Sequence, residues 1–182
     1  LALGVLAGTH GTSGGLIIIG DDPWSDSTQV PADSRYMAEH LRMPVLEPCN
    51  PQEVKDWIDL AFKLGRAGGI YVGYLMTVAS ADGGGSVECR PNDFPDFNAQ
   101  QKQALSYQQD IEPTLEQSVL LPPRSWRREL GVEAQFAKVK DEARRLGINR
   151  VFNKPQKDER VPLGFIASGN GYSYLVHALA EM

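Results

Sequence analysis

A chain of 182 residues, 42% hydrophobic and 23% charged, has room for one globular domain, or one and part of a second; that balance excludes wholesale disorder, a collagen-like chain and a coiled coil. Eighteen Lys+Arg against 23 Asp+Glu leave a net charge of −5, with no cationic excess to neutralise nucleic-acid phosphates. Two Cys without a CxxC and three scattered His offer neither a disulfide framework nor a zinc site, and no apolar run approaches the ~20 residues that span a bilayer.

In chain order, Leu1–Ala7 reads as the end of a helix. Leu16–Ile19 is a short β-branched run between Gly15 and Gly20, which predicts a strand at about 16–20 buried on both faces. Pro31–Leu41 predicts a short helix, and Val45–Leu46, fenced by Pro44 and Pro48, a brief strand at about 44–47. The strongest helix signal follows. Asn50 is an N-cap, Pro51 stands at the first helical position and Glu53 at the capping-box position. Val54, Trp57, Ile58, Ala61 and Phe62 then recur at helical spacing, and Gly65, then Gly68-Gly69, is the expected stop, giving a helix over about 51–65 with Val54, Trp57 and Ala61 on the sheet. Ile70–Val78 is again a strand. This alternation predicts parallel pairing with crossover helices, hence an α/β fold with a mainly parallel sheet between two helical layers.

Residues 79–127 differ. Gly83-Gly84-Gly85 and Pro91, Pro95, Pro113, Pro122 and Pro123 punctuate a Gln-rich stretch with no sustained period. It reads as an extended connector, exposed or packed on other domains or subunits rather than on the 1–78 core. Residues 122–160 carry 11 basic and 6 acidic side chains, which reads as a solvated helix face with its flanks. Within it, Leu130–Leu146 is an amphipathic helix with Val132, Phe136, Val139, Ala143 and Leu146 on one stripe and Gly147 as its stop. Leu163–Ala167 is an apolar strand running through Ser168-Gly169-Asn170-Gly171 into a helix, the opening of a second α/β unit. That loop has the look of a GxG phosphate turn, a weak signal by itself, and an ordinary strand–helix turn is the favoured reading. The chain lacks an initiator Met, which points to a piece of a longer protein.

The chemistry-bearing residues cluster around the first strand. Gly8-Thr9-His10-Gly11-Thr12-Ser13-Gly14-Gly15 leads into it, and Gly20-Asp21-Asp22-Pro23-Trp24-Ser25 leaves its carboxyl end, where open α/β sheets place ligands. Glycines let backbone approach a ligand, while Thr9, His10 and Thr12 supply polar groups. The stretch is no P-loop, because it lacks GK[ST]. Asp21 and Asp22 offer carboxylates to bind a metal or act as a base or, more commonly, caps for the following turn and helix. Cys49, His40 and His177 read as inert or surface residues, no metal ligand set is legible, and no catalytic residue is assigned.

These residues carry a resemblance. Ala7-Gly8-Thr9, Gly14-Gly15, Gly20-Asp21-Asp22-Pro23, Ser27-Thr28-Gln29, Asp33-Ser34-Arg35-Tyr36, Met43-Pro44-Val45-Leu46-Glu47-Pro48 and Gln52-Glu53 follow in order. More loosely, Leu146-Gly147-Ile148-Asn149-Arg150 and Leu163-Gly164-Phe165-Ile166-Ala167-Ser168-Gly169 follow as well. The pattern resembles the indolepyruvate:ferredoxin oxidoreductase family, thiamine-diphosphate-dependent 2-oxoacid oxidoreductases.

The resemblance implies that residues 1–78 are the later part of a pyrimidine-type thiamine-diphosphate-binding domain. It makes 79–160 the connector and 161–182 the start of a transketolase-C-like domain. It implies thiamine diphosphate and Mg²⁺ held mostly by segments outside this chain, and iron–sulfur clusters elsewhere in the complete enzyme. The substrates would be an aryl 2-oxoacid, such as indolepyruvate, and CoA, with ferredoxin as electron acceptor. Other domains or subunits of a cytoplasmic homo-oligomer would be partners. Thr9, His10, Thr12, Asp21 and Asp22 would face cofactor or substrate. A related thiamine-dependent oxidoreductase or decarboxylase with another oxoacid, or a non-catalytic nucleotide or small-molecule binding module, are the alternatives.

Overall fold

The structure is a computed structural model that describes residues 2–9, 13–91 and 120–182. Helix α1 (Ala2–Ala7) leads to strand β1 (Gly15–Asp21), helix α2 (Arg35–His40), strand β2 (Val45–Leu46), helix α3 (Pro51–Gly68) and strand β3 (Tyr71–Thr77). A short helix α4 (Val78–Asp82) follows, then α5 (Arg124–Leu146) and α6 (Gly169–Ala180).

The three strands form one all-parallel sheet in the order β1-β3-β2. From β1 the chain passes over β3 to reach β2, then steps back to β3. Right-handed crossovers in opposite directions need helices on opposite faces. The side chains follow suit. Ile17, Ile19, Val45 and Tyr71 meet Ala38 of α2 and Val5 of α1 on one face. Leu16, Leu46, Val72 and Tyr74 meet Ala61 and Leu64 of α3 on the other. Period-two alternation along each strand thus builds the α/β/α layers.

Helix α3 begins where the sequence places it. The Asn50 side chain accepts from Glu53 N–H at 2.9 Å, and Glu53 Oε2 accepts from Cys49 N–H at 2.9 Å. It ends later than Gly65, however. A Cβ on Gly65 would lie 2.9 Å from the Ile70 carbonyl oxygen, and one on Gly68 2.5 Å from Val139 Cγ2. Both glycines serve close packing inside the helix, and Gly69, with φ +64°, is the left-handed cap. The buried stripe is rotated accordingly. Trp57, Leu60, Ala61 and Leu64 face the core, while Ile58 and Phe62 lie on its exposed flank.

Other expectations are corrected. β1 is an edge strand, and Ile18 on its α3 side is 69% exposed, so the strand is not buried on both faces. Helix α2 starts at Arg35 rather than near Pro31, because Ala32 forms an antiparallel bridge with Asp22 and Asp21 claims the Ser34 N–H. Helix α5 starts six residues before the predicted Leu130, over a first turn and a half that shows no apolar stripe. Its stripe is as read, with Val139, Phe136, Ala143 and Leu146 packing on the α3 side of the core. This part of the 79–160 segment therefore belongs to the core of the sheet unit rather than standing off it. Residues 92–119 of that segment lie outside the described residues. Finally, Leu163–Ala167 forms no strand; it is exposed and has no ladder partner among the described residues, although α6 forms where expected.

Candidate functional site

The loop after β1 turns toward α2 on one face, and the loop after β2 turns toward α3 on the other. Their divergence makes the carboxyl end of β3 the switch point of the sheet, where such folds have their crevice and usual ligand position. Asp21 and Asp22 leave β1 beside it, both only 4% exposed. Asp21 accepts from Ser34 N–H and Ser34 Oγ, each at 2.6 Å, and so fixes the start of α2. Asp22 accepts from the N–H groups of Asp26, Ser27 and Thr28 at 2.7–2.8 Å and from the Ser27 and Thr28 hydroxyls. Burial works to raise the Asp22 carboxyl, but the Ser27 and Asp26 N–H groups and the Thr28 hydroxyl outweigh it and hold the pKa at about 2. These partners make both aspartates organisers of the 22–34 loop.

Glu47, just past β2, accepts from Arg35 at 2.6 Å and from Ser168 Oγ at 2.9 Å. Arg35 also pairs with Asp33 at 3.0 Å. Thr77, the last residue of β3, accepts from Asn170 Nδ2 at 2.9 Å, and Ser80 Oγ donates to Asn170 Oδ1 at 3.2 Å. The Ser168–Gly171 loop is thus seated on the crevice. The Glu47 carboxylate lies against Ser168 and Gly169, so the turn faces a carboxylate of the chain itself. Sequence reasoning singled out the Ser168–Gly171 loop but missed that Glu47 and Thr77 are what it meets; the legible signal was a polar loop opening an apolar helix.

The neighbouring Cys49 lies among buried polar groups. Burial first, and the Glu53 carboxylate second, push its thiol up to about 11, so it stays protonated near neutrality. Glu53 also pairs with Arg150. His40 and His177 are exposed, as read from the sequence.

Thr9 lies at the other end of β1. Its N–H donates to the Gly69 carbonyl at 2.9 Å, and its Oγ1 is buried with no hydrogen-bond partner among the described residues. His10 and Thr12 lie outside the described residues. Seven strand residues at ~3.3 Å each put Thr9 roughly 20 Å from Asp22. Among the described residues, the predicted site residues Thr9 and Asp21–Asp22 therefore fall in two places. As a holder of thiamine diphosphate and Mg²⁺ the described residues do not suffice. No group of three or more His, Cys, Asp or Glu among them could hold a metal ion. The crevice carboxylates are taken by the chain's own donors, leaving the Thr9 hydroxyl as an unused polar group. No helix among the described residues is long and apolar enough to cross a membrane.

Comparison with known proteins adds what this geometry lacks. Over 175 residues, 94% of its length, the chain is 33% identical to the indolepyruvate oxidoreductase subunit IorA of Methanothermobacter marburgensis, covering 26% of that protein. It is 29% identical over 171 residues to the subunit of the same name in Pyrococcus abyssi, and 28% over 172 residues to that of Thermococcus kodakarensis, covering 93% of this chain and 25% of each relative. The chain spans about a quarter of the length of the curated relatives it matches. No family model matches it, and no solved structure does.

Proposed function

The chain belongs to the indolepyruvate oxidoreductase family, and from that premise we propose that it is part of a thiamine-diphosphate-dependent 2-oxoacid:ferredoxin oxidoreductase acting on indolepyruvate or another aryl pyruvate. The 33% identity over 94% of the chain carries this reading. The complete enzyme would oxidise the 2-oxoacid with CoA to acyl-CoA and CO₂, passing the electron pair to ferredoxin. Thiamine diphosphate, when bound, supplies the electron sink for decarboxylation. In this reading the diphosphate, Mg²⁺ and iron–sulfur clusters are held by other parts of a cytoplasmic, oligomeric enzyme.

Residues 1–78 would be the later part of its pyrimidine-type domain, 79–160 a connector whose helix α5 packs on that domain's core, and 161–182 the opening of a transketolase-C-like domain. Thr9, His10 and Thr12 would stand toward cofactor and substrate. His10 is the one of these three that carries an imidazole, a group suited to steadying a substrate carboxylate. Asp21 and Asp22 would act by fixing the loop that borders the crevice.

The test is ferredoxin or viologen reduction by the full-length protein with its partner subunits, supplied with indolepyruvate, CoA and thiamine diphosphate. Reduction that depends on all three is expected. His10→Ala should lower kcat/KM for the oxoacid while leaving thiamine diphosphate affinity unchanged. Absence of both turnover with aryl pyruvates and thiamine diphosphate binding would overturn the reading.

A further inference from the structure

Helix α6 enters the fold at the crevice described above, and its grip is confined to one turn. Ser168 Oγ donates to Glu47 Oε2 at 2.9 Å, and Asn170 spans Thr77 and Ser80. Ser173 Oγ donates to the Cys49 carbonyl at 2.8 Å. Gly169 adopts φ +50°, and a Cβ added there would lie 2.5 Å from Glu47 Cγ and Oε1. Only a glycine both takes this conformation without strain and lets the backbone come so close to the carboxylate. Asn170 suits its place because one amide donates to a hydroxyl while its oxygen accepts from another. Past this turn Tyr174, Val176 and Leu179 are exposed, and residues 153–168 before it are exposed throughout.

We propose that the carboxyl end of β2 and β3 is a socket for the chain's own Ser168–Ser173 turn, a joint that fixes α6 and the segment entering it to the sheet, rather than a small-molecule site. Glu47 is the keystone. With Arg35 on one side and Ser168 on the other, its carboxylate ties the start of α2, the end of β2 and the turn together. The inference stands on this packing and is independent of which reaction the enzyme performs.

Amide hydrogen exchange on the full-length protein tests it without any turnover assay. In the wild type, the amides of Tyr172 and Ser173, the first that can bond back into the turn, and those of Ala81 and Asp82 in α4 should be protected together. Gly169→Ala should speed exchange in both segments at least about tenfold while leaving β1 and the middle of α3 unchanged, as release of a local unit requires. Asn170→Ala should do the same to a smaller extent, and decides the matter should the alanine at 169 prevent folding. Glu47→Gln, which keeps an acceptor for Ser168, should loosen the turn less than Glu47→Ala. Wild-type amides of Tyr172 and Ser173 exchanging like a free peptide, or unmoved by Asn170→Ala, would overturn the joint. So would thiamine diphosphate or indolepyruvate protecting 77–82 while releasing 168–173, for then the crevice receives a ligand.

Discussion

Helices α3 and α6 carry comparable signals and meet different fates. Each follows a polar cap position and repeats apolar residues at helical spacing. Asn50 gives its side chain to the Glu53 N–H, whereas the Ser168 hydroxyl is turned to Glu47 and leaves its helix uncapped by side chain. Helix α3 lays Trp57, Leu60, Ala61 and Leu64 between the sheet and α5; in α6 Gly169 is the buried residue. An amphipathic pattern states that a face needs cover, and the cover must come from somewhere else in the fold. The same contrast separates β3, whose Tyr74 hydroxyl bonds the Val54 carbonyl at 2.7 Å, from Leu163–Ala167, which is exposed.

The largest break in this comparison comes from the covered helix. Leu64→Ala should open a cavity between α3 and the sheet and lower stability by about 3 kcal/mol, read as a lower denaturant midpoint at unchanged slope. A loss under about 1 kcal/mol would place α3 with α6 as a weakly covered helix. Asn50→Ala removes the cap that Ser168 does not provide for α6 and should cost about 1 kcal/mol by the same measurement.

A pH series sharpens the contrast between loops held by a carboxylate. Asp22 has a pKa of about 2 in the folded chain against an ordinary 3.8, so its folded-state pKa is depressed. Its contribution is fully present above the ordinary value and is lost as pH falls from about 4 toward about 2. Asp22→Asn should flatten that limb of the stability–pH curve; an unchanged acid limb would mean that other groups govern it. The smallest effect is expected in the uncovered region. Phe165→Ser should change the stability of the 182-residue chain by less than about 0.5 kcal/mol, and a larger loss would reveal packing that the exposed segment does not show.

What the sequence determined by itself is local. The Asn50-Pro51-Glu53 start of α3, the β-branched strand at Leu16–Ile19, the Val132–Leu146 stripe and the α/β alternation all follow from caps, side-chain branching and periodicity, which act within a few residues. Family membership was legible for the same reason, in short ordered runs around Gly20–Pro23 and Met43–Pro48. The tertiary structure alone decided the rest. It made Gly65 and Gly68 packing glycines rather than stops, set β1 at an edge, drew α5 onto α3 and left Leu163–Ala167 without a strand partner. It also brought Glu47 against Ser168 and Thr77 against Asn170, pairs separated by 121 and 93 residues. Contacts at such separation depend on which faces the crossovers bring together, and no local pattern of residues encodes that.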